Sequence, residues 1–318
     1  MRVISPSFQI LDDYFQKGQV LQQIERCGRV CYKSEDKISD ESAVPFIRGI
    51  IKRGHESVIE MANFCLEVTG EPEAFCDFFK KIPRFSNASF ISDNKMIFSG
   101  NPRSFRDLAR NYPSDSVVLA CVKVLADKYP ILFEDLEVSK DSSNKVVAKL
   151  LSAQEVDALP EDILPLHRCV LVHITVNRAV THELVRHRVA SYLQESQRYC
   201  RYGEDKFGGE VTFIKPCFYQ EGTSEFDLWK KAMEQAEKAY LELLKTSSPQ
   251  AARTVLPNSC KTEIMVHATL QEWQHIFRLR ASKAADPSMR EIMLMMLPEF
   301  HSRFPGIFSS IVAQVGQE

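Results

Sequence analysis

The feature that most constrains the fold is a β-branched apolar run that passes directly into an arginine-rich stretch. Residues 170–176 read Val-Leu-Val-His-Ile-Thr-Val, and a run of this length and composition predicts a strand. A helical pattern follows from Arg178 to about residue 189, which would place Arg178, His182 and Arg186 on one helix face. The chain therefore combines strands with helices, and basic side chains collect where the two meet.

The remaining periodicity is mostly helical. Helices are predicted over residues 20–32, 39–53, 71–81 and 115–133, and further helices begin at residues 224, 248 and 286. A second strand is predicted over 64–69, residues 83–111 read as irregular, and 138–145 read as a polar loop suited to a linker. The pattern predicts a helix-rich α+β fold with a small mixed or antiparallel sheet.

Composition and charge exclude several functional classes. The 318 residues carry a net charge of −2, so no global field attracts nucleic acid or an anionic membrane, and any anion site must be a local cluster. The chain has no window of ~20 apolar residues, and its first residues lack the apolar core of a signal peptide, so we expect a cytoplasmic protein. Nine scattered cysteines without a CxxC pair predict free thiols and no metal site. A Rossmann dehydrogenase is disfavoured because the chain has no GxGxxG motif.

An arginine-rich cluster over residues 178–201 is the candidate functional site. It contains arginines at 178, 186, 188, 198 and 201, histidines at 182 and 187, the neutral donors Ser191, Gln194, Ser196 and Gln197, and only Glu183 and Glu195 as opposing charges. Planar guanidiniums beside hydroxyl and amide groups suit a phosphate or a nucleotide. A solvated basic helix face with a polar turn has the same composition, so the cluster by itself leaves both interpretations open.

The spelling of residues 186–199, Arg-His-Arg-Val-Ala-Ser-Tyr-Leu-Gln-Glu-Ser-Gln-Arg-Tyr, resembles the signature of the flavin-dependent thymidylate synthases. That signature is Arg-His-Arg, seven residues, Ser, and Arg two positions later, and Ser196 and Arg198 occupy the last two places. Three further stretches resemble the same family in the same chain order. They are Gly-His-Glu-Ser-Val-Ile-Glu at 54–60, Ala-Arg-Thr-Val-Leu-Pro at 252–257 and Leu-Arg-Ala at 279–281.

The resemblance implies an enzyme that converts dUMP to dTMP, with methylenetetrahydrofolate as the carbon donor and NADPH as the reductant through FAD. A flavin is needed because the transferred methylene must be reduced and no side chain stores a hydride. The resemblance also implies a ThyX-like fold, a single domain over 1–318, and a cytoplasmic homotetramer with shared active sites. Residues from about 72 to 165 exceed what a compact member needs and are interpreted as an insertion. The partners would be dUMP, folate and NADPH, with neither nucleic acid nor a membrane among them.

The resemblance also assigns site residues, each by its match to the family's motifs. The dUMP contacts would be Glu183, Arg186, Gln194, Ser196, Gln197, Arg198, Arg253 and Arg280. The FAD contacts would be Ser57, Arg186, His187, Arg188, Gln194, Thr269, Gln271 and His275. Arg280 and His55 would be catalytic: Arg280 would face the uracil and favour ionisation at N3, so that C5 becomes nucleophilic, and His55 would lie at the flavin and folate end. Ser196 is better explained as a ligand than as a nucleophile, since no base is dedicated to it.

The sequence departs from the family pattern at several of these places. Met61 stands where the family often has His, and Thr269 and Gln271 stand where it tends to have Asn-x-Arg, followed here by His275. Gln271 lacks a positive charge that could serve the FAD phosphates. The alternative is a non-catalytic relative that binds flavin or nucleotide without turnover. It predicts flavin binding without dUMP-dependent NADPH oxidation.

Overall fold

Two four-stranded antiparallel sheets, one two-stranded parallel sheet and the helices that cover them form the described structure, which confirms the predicted α+β class with small antiparallel sheets. This computed structural model describes residues 1–137, 145–204 and 207–317. Most of the polar loop predicted at 138–145 lies outside the described residues. Within those ranges no helix is both long and apolar enough to cross a membrane.

The strands in the described part of the chain are three to nine residues long. They are β1 (Arg2–Ile4), β2 (Ser7–Ile10), β3 (Phe64–Thr69), β4 (Ser86–Ser92), β5 (Lys95–Gly100), β6 (Val147–Leu150), β7 (Cys169–Asn177), β8 (Ala190–Gln194), β9 (Thr212–Ile214) and β10 (Lys261–Thr269). The α-helices are α1 (Asp13–Gln16), α2 (Val20–Tyr32), α3 (Ala43–Lys52), α4 (Pro72–Phe78), α5 (Pro102–Asn111), α6 (Ser116–Lys128), α7 (Ala153–Asp157), α8 (Leu164–His167), α9 (Arg178–Leu184), α10 (Ser224–Leu243), α11 (Pro249–Ala252), α12 (Leu270–Arg280), α13 (Pro287–Arg303) and α14 (Pro305–Gln317). Short 3-10 helices include Glu56–Met61 and Arg253–Val255.

The first sheet has the strand order β2-β7-β10-β8, and each of its two faces packs in a different hydrophobic core. Side chains alternate along a strand, so Ile264 of β10 packs with α12, α13 and α14, whereas its neighbour Met265 packs towards α2 and α3. Trp273 and Phe277 anchor α12 in the first of these cores and are fully buried. This packing fixes the position of Arg280 in the last turn of the same helix.

The second sheet has the order β4-β5-β3-β6, and three of its four strands come from residues 72–165. Only β3 is predicted from the sequence, and β5 and β6 pair with it on either side in antiparallel register. The interpretation of 72–165 as an insertion stays a prediction. In the structure this segment completes the sheet to which β3 belongs.

The prediction that residues 83–111 are irregular is wrong, because they contain β4, β5 and α5. β4 is an edge strand that reads Ser-Asn-Ala-Ser-Phe-Ile-Ser and is exposed or half-buried throughout, so its polar residues hide the strand pattern. Helix α5 begins after Asn101, whose side chain accepts a hydrogen bond from the Ser104 amide at 2.8 Å, with Pro102 at its first position.

Helix α9 is shorter than the sequence predicts. It ends at Leu184 rather than near residue 189, and residues 185–189 form a turn that leads into β8. Arg186 therefore lies beyond the helix and does not share a helix face with Arg178 and His182, which corrects the sequence-based expectation. The bounds of α2 and β3 agree with those predicted.

A fully buried arginine joins the start of β7 to the N-terminal segment. Arg168 donates through Nη2 to both carboxylate oxygens of Asp12, at 2.8 and 2.7 Å, and through Nε to Asp157 at 2.7 Å. Its guanidinium also lies 3.9 Å from the ring centroid of Phe15. A buried cation needs full compensation, and Arg168 obtains it from two distant carboxylates. Its side chain therefore holds the N-terminal segment, the region of Asp157 and the start of β7 together.

Candidate active site

Helix α3 is followed by Gly54, whose backbone conformation glycine adopts more easily than any other residue. Gly54 has a φ of 70°, and the amides of Gly54 and His55 donate to the carbonyls of Ile51 and Ile50 at 2.9 and 3.1 Å. This is the Schellman pattern of a helix C-terminus. It leaves the His55 side chain exposed at the entry to the 3-10 helix Glu56–Met61.

The acidic residue next to His55 is neutralised by helix α5. Glu56 accepts hydrogen bonds from Arg106 at 3.0 Å and from Arg110 at 2.5 Å. Arg106 is fully buried and also donates to both carboxylate oxygens of Asp135, each at 2.7 Å. The hydrogen bond from Arg110, with a second from Arg106, lowers the pKa of Glu56 to about 2, although partial burial opposes the shift. Helix α5 therefore sets the charge state of this turn.

The lowered pKa of Glu56 predicts a pH-dependent contribution to stability. The folded-state pKa of about 2 lies below the ordinary value of 4.5, so the contribution is complete above about pH 4.5 and is lost as the pH falls towards 2. We expect Glu56→Gln to lower the free energy of unfolding at neutral pH and to flatten its decline below about pH 5. Urea unfolding at a series of pH values measures both effects. Arg110→Gln removes only one of the two partners and is expected to change the profile less; parallel profiles for Glu56→Gln and the unchanged protein would contradict the assignment.

Glu60 connects the same turn to strand β8. It is buried, and it accepts a hydrogen bond from Arg103 of α5 at 2.7 Å and another from Ser191 of β8 at 3.3 Å. Met61, which follows it, is fully buried in the core, so this departure from the family pattern serves packing here. The turn that carries His55 is therefore held between α5 and β8.

The structure brings three of the predicted site residues into direct contact. Arg280 donates from Nη1 to Glu183 at 2.8 Å and from Nε to Nε2 of His187 at 3.1 Å. Nδ1 of His187 lies 2.9 Å from the Leu184 carbonyl, and a carbonyl only accepts, so this nitrogen carries the proton. His187 is therefore a neutral imidazole that orients Arg280, while Glu183 compensates the charge of the guanidinium.

The neutral state of His187 is directly testable. Burial is the largest cause that lowers its pKa from 6.5, and the Arg280 cation and His275 act in the same direction. We expect Arg280→Gln to raise the pKa of His187, because the repulsion from the guanidinium is removed. NMR titration of histidine-labelled protein measures this pKa. Arg278→Gln on the exposed side of the same helix is the matched control, and the same pKa in both variants would argue against this geometry.

Arg186 and Arg188 lie on either side of the buried His187, and both are exposed. Neither forms an ion pair within the described residues. His275, exposed on α12, places its ring edge-on to the His187 ring with 6.0 Å between the centroids. Two uncompensated cations beside a neutral imidazole suit an anionic ligand.

Gln194, the last residue of β8, is engaged inside the fold. Its Nε2 donates to the hydroxyl of Thr181 at 2.9 Å and to the hydroxyl of Thr262 at 3.1 Å. The amide nitrogen therefore joins α9 to β10. The carbonyl oxygen is the atom through which Gln194 can bind a ligand.

The turn after β8 carries Ser196, Gln197 and Arg198. The amide of Ser196 donates to the carbonyl of Cys31 at 3.0 Å, and the amide of Arg198 donates to Ser196 Oγ at 3.3 Å. Gln197 is buried, and its Nε2 has no hydrogen-bond partner among the described residues. The Arg198 guanidinium is exposed and lies 5.5 Å from the ring centroid of Tyr199. A buried donor without a partner, next to an exposed guanidinium, is a combination that an anionic ligand can satisfy.

A buried ion network that no sequence motif indicates supports this turn. Glu195, which is 1% exposed, accepts hydrogen bonds from Tyr202 at 2.9 Å and from Lys261 at 2.8 Å. Lys261 also contacts Glu263 of β10, and Glu263 contacts Lys33 at 2.9 Å. In the sequence these residues are isolated charges. Only the pairing of β10 with its neighbours brings them together.

Arg253 starts the 3-10 helix Arg253–Val255 that follows α11. Ser248 caps α11 by accepting a hydrogen bond from the Ala251 amide at 3.3 Å, and Pro249 occupies the first helical position, as predicted. Arg253 is half-buried. Within the described part of the chain, no hydrogen bond or ion pair links it to the other predicted dUMP contacts.

A cavity of about 270 Å³ lies between the second sheet, β8 and the start of α12. Arg188, Thr269 and Gln271, three of the predicted FAD contacts, line it. Thr269 caps α12 by accepting a hydrogen bond from the Glu272 amide at 3.2 Å, so the positive end of the helix dipole opens onto the cavity. The other predicted FAD contacts belong to the described residues but lie outside its lining; they are Ser57, which is exposed in the turn after His55, and Arg186, His187, Gln194 and His275.

The chain matches the family model described as thymidylate synthase complementing protein over residues 15–84 and 113–306, with 85–112 unmatched. A flavin-dependent thymidylate synthase of Pyrococcus abyssi is 38% identical over 145 residues, which cover 43% of this chain and 59% of the relative. The flavin-dependent thymidylate synthase of Pyrococcus furiosus is 37% identical over 145 residues, with the same coverage of 43% and 59%. That of Geobacter sulfurreducens is 35% identical over 167 residues, which cover 50% of this chain and 70% of the relative. The aligned part of the chain thus spans less than two thirds of either Pyrococcus protein.

The two matched stretches contain every segment on which the predicted resemblance depends. They include the turn at 54–60, the cluster at 178–201, Arg253 and helix α12. Together they cover well over half of the chain, and the segments follow one another in the predicted order. The chain therefore belongs to the family of the flavin-dependent thymidylate synthases, the Thy1 family.

Proposed function

We propose that the protein is a flavin-dependent thymidylate synthase that converts dUMP to dTMP, with methylenetetrahydrofolate as the carbon donor and NADPH as the reductant through FAD. The observation that carries this proposal is the contact of Arg280 with His187 and Glu183, because it fixes a half-buried guanidinium in one orientation. The reaction requires such a cation, since uracil C5 becomes nucleophilic when negative charge develops on the ring. FAD, when bound, supplies the hydride chemistry that side chains lack.

The chain's own residues bind dUMP in two parts. Arg280 faces the uracil with Nη2, the guanidinium nitrogen that neither Glu183 nor His187 occupies, and it stabilises the ring after N3 loses its proton. The phosphate is bound by guanidinium and hydroxyl groups, with the unpartnered Nε2 of Gln197 as a further donor. These phosphate ligands are Ser196, Arg198 and Arg253, and the other nucleotide contacts are Glu183, Arg186 and Gln194.

The residues around the cavity suit the phosphates and polar groups of a flavin dinucleotide. Arg188 and the N-terminus of α12 offer positive charge for phosphate, and Thr269 and Gln271 offer polar groups. Two buried atoms on the lining, Ser86 Oγ and Glu272 Oε1, have no hydrogen-bond partner among the described residues, and a polar ligand would satisfy them. The flavin and folate end of the site is the place we assign to His55, and the remaining FAD contacts are Ser57, Arg186, His187, Gln194 and His275.

We also propose, as the family resemblance implies, a cytoplasmic homotetramer whose active sites are shared between chains. Residues 186–188 precede β8 and residues 196–198 follow it, and a strand of five residues spans about 17 Å. If two chains share a site, residues 186–188 of one chain can lie close to residues 196–198 of the other. Each chain is one domain over 1–318, with an insertion at about 72–165.

The proposal is tested by purifying the protein, recording its flavin absorption spectrum, and measuring the dTMP formed from dUMP, methylenetetrahydrofolate and NADPH. We expect a yellow protein that oxidises NADPH faster when dUMP is present. A protein that binds FAD but shows no dUMP-dependent oxidation of NADPH would support the non-catalytic relative instead. A colourless protein that cannot be loaded with FAD would exclude both.

A further inference from the structure

We propose that residues 84–101 form one wall of the FAD site and that Arg84 binds the pyrophosphate of the cofactor, an inference that rests on the proposed function. The cavity between the second sheet and α12 has two walls. The first consists of residues 188–191 and the start of α12, and the second is lined by Arg84, Phe85, Ser86, Asn87 and Asn101. Apart from Arg84, the residues of the second wall belong to the stretch 85–112, which lies between the two parts of the family match.

The second wall is held in place by contacts within the protein. Asn87 donates to the Leu166 carbonyl at 2.9 Å, and Asn101 caps helix α5. Gly100 lies opposite Ser86 in the sheet, where a Cβ on residue 100 would lie only 2.5 Å from Ser86 Oγ. Glycine at position 100 therefore leaves space for the Ser86 hydroxyl. A wall held in this way is positioned before a ligand binds, which lowers the cost of binding.

Two arginines on the cavity lining have no ion-pair partner among the described residues. Arg84 and Arg188 are both exposed there, and neither forms an ion pair within the described ranges. Glu60 on the same lining is already paired with Arg103 at 2.7 Å. Burial raises the pKa of Glu272, which favours its neutral form. Two free guanidiniums at the N-terminus of a helix match the two negative charges of a pyrophosphate linkage.

The remaining polar groups of the cavity suit the nucleoside that a pyrophosphate carries. Ser86 Oγ lies on the second wall and Glu272 Oε1 on the first, and both lack a hydrogen-bond partner in the described structure. A ribose hydroxyl or an adenine amino group can satisfy either atom. Gln271 on the first wall is neutral, so Arg84 supplies the second cation from the opposite side.

The test compares the equilibrium binding of FAD with that of riboflavin, which has no phosphate, by quenching of flavin fluorescence. We expect Arg84→Ala to raise the Kd for FAD about tenfold or more, as for the loss of one charge-assisted hydrogen bond, and to leave the Kd for riboflavin within about twofold. Arg48→Ala is the matched control, because Arg48 is an exposed arginine that pairs with Glu134 and does not line the cavity. We expect Arg84→Ala/Gln271→Arg to recover FAD affinity, since position 271 lines the same cavity.

Each outcome has a distinct meaning. Equal FAD affinity in Arg84→Ala and Arg48→Ala would overturn the inference and leave the proposed function intact. An equal loss of FAD and riboflavin affinity would also overturn it, because a damaged wall and not a lost phosphate contact would then be the cause. Failure of the unchanged protein to bind FAD would contradict the proposed function itself. Thermal unfolding of each variant verifies that the fold is kept.

Discussion

Replacement of Arg280 by alanine is expected to lower kcat for dTMP formation by about 10²–10³-fold, as for the loss of one preorganised charge-stabilising group. The guanidinium is oriented by Glu183 at 2.8 Å and by His187 at 3.1 Å, and water that replaces it would have to reorient during the reaction. Because Arg280 acts on the ring after N3 ionises, kcat is expected to fall more than KM rises. Rates are measured per bound flavin, so that any loss of cofactor is counted separately.

The matched control for this experiment is Arg278→Ala. Arg278 is exposed on the same helix, and we expect its replacement to keep turnover within about twofold. Glu183→Gln is expected to fall between the two variants, because Arg280 then keeps its charge but loses an ionised partner that orients it. Normal turnover by Arg280→Ala would exclude a role for this residue in activating the uracil.

The largest loss of stability is expected from Arg168→Met. Arg168 is fully buried between Asp12 and Asp157, and its removal leaves Asp12, which is 8% exposed, without its counter-ion. Breaking a buried ion pair from one side costs about 3–5 kcal/mol. Urea unfolding of the variant and the unchanged protein measures this difference in the free energy of unfolding.

Arg48→Ala is the control, because the ion pair of Arg48 with Glu134 is solvent-exposed and such pairs contribute little to stability. The double variant Arg168→Met/Asp12→Leu removes both buried charges, and we expect part of the lost stability to return. If Arg168→Met lowers the free energy of unfolding by less than about 1 kcal/mol, water already screens the pair of Arg168 and Asp12. Arg168 would then not hold these parts of the chain together.

Elements with one clear local signal were predictable from the sequence. Helix α2 and strand β3 match their predicted bounds because an amphipathic period and a short apolar run each point to one structure. Strand β10 was not predicted, although it pairs with both β7 and β8. Its apolar run is interrupted by Glu263 and His267. The charge of Glu263 is compensated by Lys33 and Lys261. Because Lys33 is far away in the sequence, no local pattern indicates that Glu263 can be buried.

The sequence motifs identified the candidate site residues but did not predict how these residues contact one another. The contact between Arg280 and His187 joins positions 93 residues apart, so no local pattern predicts it. Arg84 belongs to no motif, because the polar residues of the edge strand that follows it read as a loop. The family match confirms the predicted membership, while the roles of the individual site residues stay predictions until the variants are measured.

The turn that carries His55 depends on contacts with a distant helix of the same chain. Its two carboxylates, Glu56 and Glu60, take their counter-ions from helix α5, and Glu60 and Arg103 are 43 positions apart. The family match contains the turn but omits the stretch that holds α5. Moving residues 54–60 without α5 would therefore transfer two acids without the arginines that pair with them here. In this chain the turn and helix α5 form one electrostatic unit, so a chimaera that moves the turn has to move the helix with it.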